Sequence, residues 1–170
     1  GKSAAKNKNL THKQAADLCK AALAIGRVPV VLNWRGFLLP EGTEVLTNES
    51  GREKYPTDTT WPGWGGDAEC MAAVISQAKA FVGIDSGPAK VASATDTPSL
   101  VAWTLHHPLH FHDPAENTTH LVPVDHEKMV PIDGNPDRAA YFQRAYKSRT
   151  YSGAVDIVPK ATEWLREVVG

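Results

Sequence analysis

Residues 83–90 read GIDSGPAK. An apolar stretch, Phe81 to Ile84, runs into Asp85, Ser86, Gly87 and Pro88, and a helical pattern begins at the proline. These residue types suit the binding of an anion. Proline is favoured in a first helical turn, because the N–H it lacks would have had no partner there. The neighbouring N–H groups of Ser86, Gly87 and Ala89 can face outward, and with the helix dipole they form a place for a phosphate. Gly87 has no Cβ, so such a group can approach its backbone closely. The Ser86 hydroxyl offers one more donor. Charge-assisted hydrogen bonds contribute about 1.5–3 kcal/mol each, so two or three could hold a diphosphate. The same residues also have a plainer reading, in which Asp85 and Ser86 only cap a helix.

Other groups compete for a chemical role. Lys2, Lys6, Lys8, Lys13 and Lys20 crowd the first twenty residues against a single acid, Asp17; they form either a solvated terminus or an anion-facing loop. LHHPLHFHDP places His106, His107, His110 and His112 close together, followed by Asp113. That set invites a metal, but its spacing matches no established zinc signature. A solvated loop, a metal site and a substrate contact all remain open for it. Asn33, Trp34 and Arg35 follow the apolar run VPVVL, where Arg35 could meet a phosphate or a base, or simply face solvent. Trp61 and Trp64 either pack over the core or stack on a ligand. Cys19 and Cys70 lie far apart with no CxxC motif, and read as buried free thiols.

The elements that must position these groups alternate. Thr11–Ile25 has an apolar face at Ala15, Leu18, Cys19 and Ala22, a capping-box pair in Thr11 and Gln14, and a stop at Gly26. Val28–Leu32 is a strand-length apolar run of the kind buried on both faces. Glu44–Leu46 predicts a short strand within the Gly-, Pro- and Trp-rich segment 36–66. Asp67 is expected to cap a helix reaching about Ala80. Strands follow at Phe81–Ile84 and Ser99–Trp103, with a short helix from Pro88 to about Thr95 between them. Thr119–Val122 is a further candidate strand, and helices are expected at Asp137–Ser148 and Asp156–Val169. Such alternation implies a parallel sheet covered by helices, in which ligands bind beyond the carboxyl ends of the strands. Asp85–Pro88 falls at such an end.

Bulk properties narrow the class. The chain has 170 residues, 42% apolar and 22% charged, with a net charge of −1 from 18 basic and 19 acidic residues. This is globular composition, in a length that suits one domain. The balanced charge argues against a dedicated nucleic-acid binder. No apolar run is long enough to span a membrane, and no signal peptide is visible, so a cytoplasmic setting is expected.

The stretch DAECMAAVISQAKAFVGIDSGPAKVASATDTPSLVAW, residues 67–103, resembles the donor-binding half of bacterial heptosyltransferases in glycosyltransferase family 9. The family shows a small-residue helix, a strand, Asp-Thr/Ser-Gly-Pro-x-His, an alanine-rich helix and a G-x-P lead into the next strand. GKSAAKNKNLTHKQAADL is similar to the family's glycine-containing loop and lysine before a helix, with Lys8 at the lysine position; the family's tryptophan-proline is Leu10-Thr11 here. The resemblance implies a Rossmann-like three-layer α/β domain over residues 1–170, the C-terminal half of a GT-B glycosyltransferase. It would bind an ADP-, UDP- or GDP-linked sugar as substrate and require no separate cofactor and no metal.

By that resemblance, Ser86 and Gly87 hold the diphosphate and Asp85 contacts the donor sugar. Lys8, with Ser3 on the same loop, faces the phosphates and stabilises the departing nucleotide's charge. Lys90 stands where the family has histidine, and would serve as a flexible point charge or face solvent. Asn33 and Arg35 lie where the family reads base and ribose, and His106 and His107 lie on a loop bordering the donor. The family's catalytic base belongs to an N-terminal acceptor domain, which this chain is expected to lack together with a first strand. No residue here is therefore assigned that role. The alternatives are a non-catalytic nucleotide-binding module completed by a partner chain, and a metal-binding protein built on the histidine loop.

Overall fold

The computed structural model describes residues 10–32, 38–46, 64–104, 107–108, 115–126 and 147–170. Helix α1 is His12–Ala24, strand β1 Val30–Leu32, β2 Glu44–Leu46, α2 Trp64–Gln77, β3 Phe81–Ile84, α3 Gly87–Ser93, β4 Ser99–Ala102, β5 Thr118–Pro123 and β6 Lys147–Tyr151. A 3₁₀ turn, Ala154–Asp156, leads into α4, Ile157–Val169.

Four strands pair in parallel in the order β3-β4-β5-β6. Alternation along the strands divides the core in two. Leu100, Ala102, Leu121 and Tyr151 face α4, where Ile157, Ala161, Trp164, Leu165 and Val169 form the apolar stripe, with Leu18 of α1 packed alongside. Val101, Trp103 and Val122 face the other way onto Ala89 of α3. Every residue of β4 is buried, as expected of a parallel strand covered on both sides. Helix, sheet and helix make a Rossmann-like three-layer α/β fold.

Local chemistry explains why these elements stop and meet where they do. The Thr11 hydroxyl accepts from the Gln14 N–H while the Gln14 side chain accepts from the Thr11 N–H, closing the capping box at the start of α1. Gly26, at φ 73°, takes the left-handed turn that ends it. Arg27 then donates through Nε and an Nη to the Val169 carbonyl at 3.2 and 2.8 Å. A cation on the last carbonyls of a helix also complements its dipole, so the end of α1 is tied to the end of α4. On the other face, Thr97 Oγ1 donates to the Ile75 carbonyl at 2.7 Å and fixes α2 to the turn before β4.

Several expectations shift. β1 and β2 form a separate two-stranded parallel sheet, and Val30 is 41% exposed. The Val28–Leu32 run is therefore not buried on both faces; among the described residues β1 pairs with β2 alone. Helix α2 begins at Trp64 and not after Asp67, since a residue able to cap does not by itself set where a helix starts. The end of the Asp137–Ser148 helix is overturned: Lys147 and Ser148 open β6, because pairing with β5 overrides local propensity. Residues 137–146 lie outside the described residues. Cys19 and Cys70 are buried and form no disulfide with each other, as read.

β3 pairs on one side only among the described residues. The N–H groups of Phe81 and Asp85 donate toward β4, to Pro98 O and Ala102 O. Alternation turns the backbone groups of Val82 and Ile84 away from β4, to an open edge.

Candidate functional site

All four strands of the main sheet run parallel, so their carboxyl ends share one edge. Asp85, Ser86 and Gly87 leave β3 there, Trp103 and Thr104 leave β4, and Val124 to His126 leave β5. The Val124 N–H donates to the Tyr151 carbonyl at 3.0 Å, which fixes the β5 exit to the end of β6. The Tyr151 hydroxyl donates to the Trp103 carbonyl at 2.7 Å, which ties β6 to the β4 exit.

At the β3 corner, Ser86 occupies the N-cap position of α3 in extended conformation, φ −160° and ψ 170°, but its side chain makes no capping bond. The hydroxyl instead donates back to the Ile84 carbonyl at 3.1 Å. This removes the plain capping role for Ser86 and also commits the hydroxyl proton expected to serve a phosphate. The Ala89 N–H donates to the Ser86 carbonyl at 3.1 Å, so it is not available either. The N–H groups of Ser86 and Gly87 remain, with no acceptor among the described residues. With α3 only seven residues long, the dipole is a small contribution beside those two donors.

Gly87 is the informative residue. Its backbone is not left-handed, and a Cβ built on it would meet nothing within 4 Å among the described residues. Neither torsion nor packing therefore requires glycine, while glycine at a helix start is less favourable than alanine. Gly83 differs: a Cβ there would meet the Phe81 ring at 2.6 Å, which explains it by packing. Among the described residues, the space over Gly87 is open.

Lys90 is exposed, with no ion-pair partner among the described residues. Asp85 is half-buried at the corner. His107 stands on the β4 exit, its ring centroid 5.7 Å from that of His126 on the β5 exit, the planes tilted by 39°. Sequence reading passed over His126; the signal that would have found it is a polar residue just beyond a strand on the carboxyl edge. Ser3, Lys8, Asn33, Arg35, His106, His110, His112, Asp113 and Trp61 lie outside the described residues. Among the described residues, no group of three or more His, Cys, Asp or Glu side chains could hold a metal ion. Of the basic N-terminal group, Lys13 pairs with Asp17 at 2.5 Å and Lys20 with it at 3.5 Å, the solvated-face reading for those two.

The fold and the corner define a parallel α/β domain whose strand ends share one edge. The sequence model of glycosyltransferase family 9 (heptosyltransferase) matches residues 68–135. The resemblance read from residues 67–103 is thereby shown, and the matched stretch carries α2, β3, the Asp85–Gly87 corner, α3, β4 and β5. No curated protein and no solved structure matches the chain. No helix among the described residues is long and apolar enough to cross a membrane.

Proposed function

We propose that this chain is the donor-binding part of a glycosyltransferase and takes a nucleotide-diphosphate sugar at the carboxyl edge of the sheet. The observation that carries the reading is Gly87: a glycine that neither its torsion nor packing among the described residues requires, beside two N–H groups with no acceptor among those residues, inside the stretch matched by glycosyltransferase family 9. The Ser86 and Gly87 N–H groups donate to diphosphate oxygens. Lys90 and Lys8 add positive charge, and Ser3 adds a hydroxyl donor. Together they stabilise charge on the departing nucleotide, the form of catalysis fixed cations and donors perform best. Asp85 accepts from a hydroxyl of the sugar, while Asn33 and Arg35 meet the base or ribose. Transfer also needs a base for the acceptor, and donor binding is the part we assign to this chain.

Titration with ADP, UDP and GDP, followed by thermal melting, tests the reading. A ligand at a hundred times its Kd stabilises the folded state by about 2.7 kcal/mol, a rise of about 5–10 °C for a domain of this size. Unchanged melting with all three nucleotides would overturn it.

A further inference from the structure

His120 of β5 and Trp103 beyond β4 are both enclosed by the core, 1% and 0% exposed. The Trp103 indole Nε1–H donates to His120 Nδ1 at 3.1 Å. An indole nitrogen can only donate. His120 Nδ1 therefore keeps its lone pair, and the ring is neutral whatever its other nitrogen meets. An imidazolium carries a proton on both nitrogens. It would set one N–H against another across the same 3.1 Å, and burial disfavours a charged imidazole as well. Trp103 is also where β4 is tied to its neighbours at the carboxyl edge. Its N–H donates to the Leu121 carbonyl at 2.9 Å, and its carbonyl accepts from the Tyr151 hydroxyl at 2.7 Å. The indole bond is a third tie, and the one that a proton can break.

Register places Val101 of β4 and Ser148 of β6 beside His120 on this face of the sheet, where Ala89 of α3 packs. Lys147 and Arg149 of β6 alternate to the other face, and Arg149 bonds Glu167 there. Lys90 of α3 and Glu69 of α2 are exposed. Asp125, His126 and His107 stand farther along, at the strand exits. We propose that His120 is an acid-sensitive lock, in which uptake of a proton breaks its bond to Trp103 and loosens the β4 exit. The unfolded imidazole takes up its proton near pH 6.5. The contribution of the lock is therefore complete above that value and is lost as pH falls below it.

The test follows the unfolding constant of the whole chain by denaturant titration as pH is lowered through about 6.5. His120→Asn supplies the comparison, since its Oδ1 stands near the position of Nδ1 and accepts from the indole without titrating. The unfolding constant of the unaltered chain is expected to rise more steeply, by up to about tenfold more per pH unit. The difference separates His120 from the other histidines. Equal slopes overturn the inference. NMR on the unaltered chain decides independently, even if the variant does not fold. The Trp103 indole N–H signal is expected to leave its bonded position together with proton uptake at the His120 ring. A ring that takes up its proton while the indole signal stays in place, or a bond and fold that both persist to about two units below the ordinary value, overturns it too.

Discussion

Gly87 separates a requirement of the fold from a requirement of a ligand. Because a Cβ at this position meets nothing within 4 Å among the described residues, Gly87→Ala should stabilise the folded chain by about 0.4–1 kcal/mol, through the unfolded state. The same methyl group stands where a diphosphate would approach, so nucleotide affinity should fall at least about tenfold. Melting and calorimetry on one variant read both effects, and equal affinity would place the ligand elsewhere. Ser86→Ala should act more mildly, since the N–H stays and the lost hydroxyl serves the Ile84 carbonyl; an affinity loss under about tenfold is expected. Tyr151 adds a prediction away from the corner. Burial, with Asp125 nearby, raises its phenol above the usual 10.0. The unfolded chain then ionises first, so this residue's share of stability is complete below pH 10 and is lost as pH rises through the folded value. Tyr151→Phe should remove that alkaline loss. It should also cost about 1–3 kcal/mol at neutral pH, by leaving the Trp103 carbonyl without its donor.

At the scale of elements, α4 is the principal cover of one sheet face. Trp164 and Leu165 are buried in the larger cluster, and Trp164→Ala should cost about 3–5 kcal/mol in a denaturant titration. Outside the core, Arg149 on β6 forks onto Glu167 of α4, and this bond to the carboxylate holds Glu167 below its ordinary range. Its stabilisation is present above the usual 4.5 and disappears as pH falls through the lower folded value. Most elements were legible because their pattern is local. Ala15, Leu18, Cys19 and Ala22 recur at helical spacing behind a capping pair, and SLVA is apolar enough to be a strand buried on both sides. β6 was not legible. In Lys147–Tyr151 only Tyr151 is buried, so the strand has no apolar alternation and is defined by its pairing with β5. The corner was legible in its residue types but not in its bonds. That the Ser86 hydroxyl would turn back to Ile84, and the Ala89 N–H to Ser86, depends on the torsions of the turn. His126 could be found as a polar residue just beyond a strand, but its contact with His107 depends on β4 and β5 bringing their exits together.

At the scale of the molecule, the strands fall into a sheet of four and a sheet of two. The smaller one is attached through α1, whose end bonds to α4 by way of Arg27. Among the described residues β1, β2, β3 and β6 each keep one side without a neighbouring strand, and Val30 is 41% exposed on β1. An unpaired row of N–H and C=O groups is a template for another chain. The division of the sheet therefore has a consequence for handling the protein in solution. The chain should self-associate by strand addition as its concentration rises, and sedimentation velocity should show a weight-average mass that grows with loading. Val30→Lys, a charge on the exposed edge, should shift that growth to higher concentration. A mass that stays constant across the loading series would mean that these edges are already covered.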